Sequence, residues 1–152
     1  VDNERLRCLE DKQALQELLV SYARACDARD WMAYRGVFTS DALIDYTGAR
    51  GRSGKCDEIA VWLEDIMGAP SLEHTQHLLA NFQVELHGDR AAGRVDYLNP
   101  DIFIRSGIRD LLVNGGQYVF EAVRQGPDWR LSALSARILW SAKGEIFSPP
   151  SI

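Results

Sequence analysis

The chain has 152 residues, 46% of them hydrophobic and 26% charged, with a net charge of −5, a size and composition that fit one domain over residues 1–152. A domain of about 150 residues buries roughly 70% of the surface that its unfolded chain exposes, enough for a core of its own. The acidic balance speaks against nucleic acid, which needs a basic face, and against anionic membranes; no run of ~18 apolar residues is there to span a bilayer.

Leu6, Leu9, Leu15, Leu18, Leu19, Tyr22 and Cys26 recur at three- and four-residue steps. That period predicts a helix over 4–27 with the stripe buried, and Asp2 or Asn3 as its N-cap. Asp30 is placed to cap a short second helix, 31–37. Leu43 to Tyr46 reads as a short strand that runs into a Gly-rich loop, 47–54. Helical spacing resumes over 56–67, and Gly68 and Pro70 stop it. Beyond Pro70 the pattern is that of strands. Residues 77–86 and 91–104 flank the turn His87-Gly88-Asp89-Arg90, and 117–124 and 129–140 flank Gln125-Gly126-Pro127-Asp128. Asn114-Gly115-Gly116 reads as a break before the third long strand, and 148–151 offers no regular structure. Helices followed by a meander of strands define an α+β fold, with the helices on one face of an antiparallel sheet. Strongly curved, such a sheet wraps the helices as a cone whose open end leaves a small-molecule cavity.

Several residues in this pattern carry chemistry. Asp27 lies at the end of the first helix, where the dipole disfavours a carboxylate by ~0.3–1 kcal/mol unless something compensates. An imidazolium would do so; so would Arg24 or Arg29 in a solvated pair. His77 falls on an apolar strand and shares a face with Leu79 and Asn81 by the two-residue period. Imidazole titrates near neutrality and suits proton transfer, but it also suits a satisfied core position. Tyr46 faces inward with Ile44, as a donor to an oxyanion or as a core phenol, and Tyr22 lies on the helical stripe. Asp96 faces the pocket or pairs with Arg94. Asn81 is a candidate substrate contact, and Arg137 a candidate partner for a carboxylate or phenolate. Trp62, Met67, Leu79, Phe103, Phe120 and Trp140 are expected to shape the cavity.

Other chemistries find less support. His74 and His77 form an H-x-x-H pair without a third ligand at metal-binding spacing, and His87 falls in a turn. Three cysteines, Cys8, Cys26 and Cys56, are an odd set without C-x-x-C spacing. They read as reduced packing thiols of a cytoplasmic protein, and residues 1–14 lack a secretory signal pattern. No nucleophile elbow, Walker loop or dinucleotide fingerprint is present. The Gly-rich run at 48–54 lacks the Lys-Ser/Thr end of a phosphate loop and reads as a mobile lid over the cavity.

Four stretches, Tyr22-Ala23-Arg24-Ala25-Cys26-Asp27-Ala28-Arg29-Asp30-Trp31, Ile44-Asp45-Tyr46, Thr75-Gln76-His77 and Gly116-Gln117-Tyr118 through Asp128-Trp129-Arg130-Leu131, follow in this order. Together they resemble the NTF2-like superfamily and its SnoaL-like branch, over about residues 10–142. That branch includes scytalone dehydratase, bile-acid 7α-dehydratase and related isomerases, cyclases and lyases. The resemblance implies an NTF2-like cone and a cofactor-independent, metal-free lyase or isomerase acting on a hydrophobic cyclic or aromatic small molecule. It implies Asp27 and His77 as an acid–base dyad and Tyr46 as a third catalytic group. Tyr22, Asn81 and Asp96 would contact substrate, and copies would pair as a homodimer or homotrimer through the outer sheet face. Dehydration, double-bond shift, retro-aldol cleavage and ring closure all use these parts. Where scytalone dehydratase has a Tyr directly before its catalytic Asp, this chain has Cys26. The superfamily also holds non-catalytic members, so the competing expectation is a ligand-binding module or a subunit like the small subunit of ring-hydroxylating dioxygenases.

Overall fold

The computed structural model describes residues 2–146. Helix α1 (Asp2–Ala28) turns Leu15, Leu19, Tyr22 and Cys26 into the core, while Leu6 and Leu9 remain 53% and 58% exposed. The expected stripe is thus buried only beyond Asp11. The sheet reaches no further along the helix than that residue: Asp11 accepts from Arg124 Nη2 at 2.7 Å and from the Trp129 indole at 3.0 Å. The helix begins at Asp2, so Asn3 lies inside it; capping by the Asp2 side chain falls outside the described residues. Helix α2 (Trp31–Gly36) is capped by Asp30, whose Oδ1 accepts from the Ala33 amide at 2.9 Å.

Strands β1 (Phe38–Gly48) and β2 (Ser53–Lys55), helix α3 (Cys56–Met67), and strands β3 (Leu72–Thr75), β4 (Leu78–His87), β5 (Arg90–Arg105), β6 (Ile108–Gln125) and β7 (Asp128–Glu145) complete the chain. The strands form one seven-stranded sheet in the order β2-β1-β7-β6-β5-β3, with β4 also on β5. Every pairing is antiparallel except β1 with β7. Strand β5 carries β4 along its first half and β3 along its second, and bulges in β4 and β7 deepen the twist. The sheet curls into a half-barrel around the helices, the NTF2-like cone of an α+β fold. Its concave face, with Ile44, Val95, Phe120, Leu131 and Leu134, packs on Leu15, Leu19, Tyr34 and Ile59 of the helices.

Asn114-Gly115-Gly116 does not break the sheet; it lies inside β6. The two glycines answer a packing demand. A Cβ on Gly115 would overlap the Trp140 indole, and one on Gly116 would overlap the Tyr97 phenol and the Arg137 carbonyl. The segment expected as a Gly-rich loop contains the short strand β2, and β3 arises in a stretch too short and polar to read as a strand. The tail at 148–151 falls outside the described residues.

Candidate active site

Helix α1 ends in a reversed turn that aims Asp27 at the sheet. Arg29 takes a left-handed conformation (φ 55°), and the amides of Arg29 and Asp30 return to the carbonyls of Cys26 and Ala25 at 3.0 and 2.9 Å. This is a Schellman stop with Arg where Gly is usual. The Arg29 guanidinium donates to the Leu72 carbonyl at 2.7 Å, tying the helix end to β3. The chain beyond β3 then brings His77 to Asp27. Asp27 Oδ1 lies 2.6 Å from His77 Nδ1, and the His77 backbone amide donates to Oδ2 at 2.9 Å and to Oδ1 at 3.1 Å. These donors compensate the carboxylate at the negative end of a helix dipole. The His77 side chain is only 11% exposed and that of Asp27 24%. An ionised carboxylate can only accept, so Nδ1 carries the proton and Nε2 is the nitrogen left for chemistry.

His77 stands in the wall of a cavity of about 360 Å³. Trp62, Met67, Leu72 and Phe103 supply apolar wall; Tyr22, Tyr46, Tyr97 and Tyr118 supply phenols. Thr75, Asn99, Asp101 and Asn114 add polar groups that the sequence reading missed. Burial raises the Asp101 carboxyl above its ordinary range; the Thr75 hydroxyl, the His77 imidazole and the Asn99 amide partly offset this, and the Asp27 charge adds to it. The residues of β5 that face inward are Val95, Tyr97, Asn99, Asp101 and Phe103. Starting the alternation at Val95 rather than Asp96 would have found both polar members.

Three phenols form a chain. The Tyr46 hydroxyl lies 2.8 Å from that of Tyr22 and 3.0 Å from that of Tyr34. Burial pushes all three well above the usual phenol range, so they stay neutral. Three protons serve two hydrogen bonds, which leaves one proton to donate elsewhere. Tyr34 is fully buried and off the cavity wall, and Tyr46 is its partner among the described residues, so Tyr34 donates inward to Tyr46. The remaining proton belongs to Tyr22 or Tyr46, both of which line the cavity.

Several expected pocket residues lie elsewhere. Asn81 adopts a left-handed conformation (φ 54°) at a bulge in β4, which ends the alternation that Leu79 continues from His77. Its Nδ2 donates to Asp96 Oδ2 at 2.8 Å. Asp96 also accepts from Gln117 Nε2 at 2.9 Å, and Arg137 Nη2 donates to Gln117 Oε1 at 2.5 Å. Asn81, Asp96 and Arg137 thus share a network on the convex face, away from the cavity, and these placements correct the sequence reading. Trp140 is on the convex face as well, half exposed, while Phe120 is buried in the core and Leu79 is off the cavity wall.

His74 is exposed on β3, and His87 is exposed, 3.9 Å from Glu85. Cys26 and Cys56 are buried and Cys8 exposed, all unpaired, and burial pushes the Cys56 thiol up to about 11. The Gly-rich run is seated on the fold: Ala49 is in the cavity wall, and a Cβ on Gly51 would stand 2.7 Å from the Trp62 ring. No helix among the described residues is long and apolar enough to cross a membrane.

A curled sheet closed by helices over a cavity, with a histidine held by an aspartate in its wall, fits an NTF2-like cone. Residues 7–135 match the profile of the SnoaL-like domain, and the chain belongs to that family. It is 36% identical over 124 residues to an uncharacterised protein of Mycobacterium tuberculosis strain H37Rv, covering 81% of this chain and 82% of that one. A protein of Novosphingobium aromaticivorans assigned as an aromatic ring hydroxylase is similar in structure (TM-score 0.78, 26% identity, 91% of this chain and 94% of the other). The hexachlorocyclohexane dehydrochlorinase LinA type 3 of Novosphingobium barchaimii shares the fold (TM-score 0.78, 23% identity, 96% and 99% covered).

Proposed function

We propose that this chain is a cofactor-independent lyase or isomerase in which His77, held by Asp27, performs acid–base catalysis on a hydrophobic cyclic or aromatic small molecule. The observation that carries the reading is the 2.6 Å contact between Asp27 Oδ1 and His77 Nδ1, with the imidazole in the wall of the cavity. Asp27 fixes the tautomer and stabilises the imidazolium once it forms. His77 Nε2 takes a proton from the carbon beside a carbonyl; the C–H electron pair forms a carbon–carbon double bond, and the carbonyl π pair moves onto the oxygen. The free proton of the Tyr22–Tyr46 chain receives that oxyanion in a largely apolar site. The imidazolium then returns its proton. Delivered to a departing hydroxyl on the neighbouring carbon, it releases water as the C–O bond breaks; delivered to another carbon, it shifts the double bond.

The test is deuterium exchange at C2 of 1-indanone in heavy water, followed by NMR. The protein should accelerate exchange, and His77→Ala should cut the rate by ~10²–10⁴. If the wild type exchanges the ketone no faster than His77→Ala, the reading fails.

A second reading, a non-catalytic subunit of a larger assembly, draws support from the likeness to the ring hydroxylase. Co-purification with an iron–sulfur subunit would select it. A homodimer or homotrimer formed through the convex face, where Leu43, Leu98, Val119, Leu139 and Trp140 are exposed, accords with the enzyme reading.

A further inference from the structure

We propose that Asn99 and Asn114 form a hydroxyl-binding subsite, which selects an uncharged ring compound bearing a free hydroxyl group. The proposal rests on the reading of this cavity as a small-molecule site. The two residues are direct cross-strand partners on β5 and β6, and both line the cavity. Directly opposed side chains on one sheet face start about 4.5–5.5 Å apart.

Each amide is turned by its other end. Asn99 Nδ2 is committed to Thr75 Oγ1 (3.2 Å), the Gln76 carbonyl (3.1 Å) and Asp101 Oδ1 (3.1 Å). A backbone carbonyl and a carboxylate can only accept, so these contacts fix the amide orientation and turn Asn99 Oδ1 away from β3, toward β6. On β6, Asn114 Oδ1 accepts from Ser141 Oγ at 2.7 Å. Ser141 itself receives Arg50 Nη2 at 3.4 Å, which leaves the serine proton for Asn114. Asn114 Nδ2 therefore points back toward β5. Among the described residues neither Asn99 Oδ1 nor Asn114 Nδ2 has a hydrogen-bond partner, and Asn114 is only 9% exposed. An acceptor and a donor, both without a partner, thus face one gap in the cavity wall.

One hydroxyl oxygen fills that gap with both bonds made: it accepts from Asn114 Nδ2 and gives its proton to Asn99 Oδ1. A carbonyl or ether oxygen satisfies only the donor, and an ammonium only the acceptor. The described wall holds no Lys or Arg to receive an anion, and Asp101 lies beside the gap. Carboxylates and phosphates are therefore selected against.

The test compares 2-naphthol with its isostere 2-methylnaphthalene, by calorimetry and by the side-chain amide NMR signals of Asn114. Wild type should bind the naphthol about tenfold more tightly, with the Asn114 amide protons shifting during the titration. Asn114→Leu should bring the two affinities within about twofold of each other. Ser141→Ala, an exposed change that frees the Asn114 amide to rotate, should lower the preference part-way. Discrimination that survives Asn114→Leu would put the hydroxyl at the tyrosines or His77 and overturn the proposal, as would failure of both compounds to bind the wild type. The titration involves no turnover. A silent exchange assay with intact discrimination removes the acid–base reading alone; normal exchange without discrimination removes the subsite alone.

Discussion

Asp27 holds His77 at two points, the ring Nδ1 at 2.6 Å and the backbone amide at 2.9 Å. The carboxylate sets the protonation of the imidazole and also the path of the chain that carries it into the cavity wall. The geometry proposed for catalysis and the local folding therefore depend on one side chain, and substitutions can separate the two.

Asp27→Asn keeps an oxygen for the backbone amide but presents an NH₂ to Nδ1. The imidazole must then accept at Nδ1 and carry its proton on Nε2, the wrong tautomer for a base. We expect a folded variant with ketone exchange reduced by ~10²–10⁴, whereas Asp27→Ala should also lower the melting temperature by leaving the His77 amide without its acceptor. Exchange by Asp27→Asn within threefold of wild type would show that the carboxylate does not control the tautomer.

The phenol chain predicts an asymmetry between two conservative changes. Tyr34→Phe removes one donor and leaves Tyr46 bonded to Tyr22, a loss of about 0.5–1.5 kcal/mol. Tyr46→Phe leaves the fully buried Tyr34 hydroxyl without its acceptor, which costs about 1–3 kcal/mol. The double variant should therefore be no less stable than Tyr46→Phe alone. Urea denaturation of the four proteins closes the cycle; strict additivity would mean that the 3.0 Å Tyr34–Tyr46 contact contributes nothing.

The order of elements was legible in the chain because it follows from periodicity, whereas the pairing of a helix-end Asp with a distant His was implied by the family resemblance. Tyr22 and Cys26 continue a helical stripe, and Ile44 and Tyr46 share one face of a strand. What failed were places where the period is interrupted or bounded by tertiary structure. A left-handed residue at Asn81 resets the alternation, so Phe82, Val84 and Leu86 turn inward and Asn81 does not. Leu6 and Leu9 keep the helical period past the end of the sheet that would bury them. Gly115 and Gly116 mimic a turn, but they answer to Trp140 and Tyr97, aromatic residues distant in sequence. Asp101 and Asn99 are readable from the parity of Val95 and Tyr97, whereas Arg94 and Asp96 belong to the opposite face.

Arg29 offers a test of how the helix end is held. Its left-handed backbone disfavours any residue with a Cβ by roughly 1–2 kcal/mol relative to Gly, and its guanidinium bond to Leu72 offsets part of this. Arg29→Ala loses the bond and keeps the strain, while Arg29→Gly loses both. Arg29→Gly should therefore be the more stable variant by about 1 kcal/mol, measured by thermal or urea unfolding. Equal stabilities would mean that the φ of 55° carries no strain for a non-glycine residue.

Asp101 gives the site a pH signature. Burial raises its carboxyl above the ordinary range in the folded protein, so the fold binds the proton more tightly than the unfolded chain does. The stabilisation that follows is complete below the unfolded value of about 3.9 and is lost as pH rises through the raised folded value. Asp101→Asn carries no charge at any pH and keeps an oxygen for the Asn99 amide. Its stability advantage over the wild type should be smallest near pH 4 and should grow toward neutrality, then level off above the folded value. Melting temperatures of both proteins from pH 4 to 8 read this directly. An advantage that shrinks as pH rises would mean that the attraction of His77 for the carboxylate outweighs its burial.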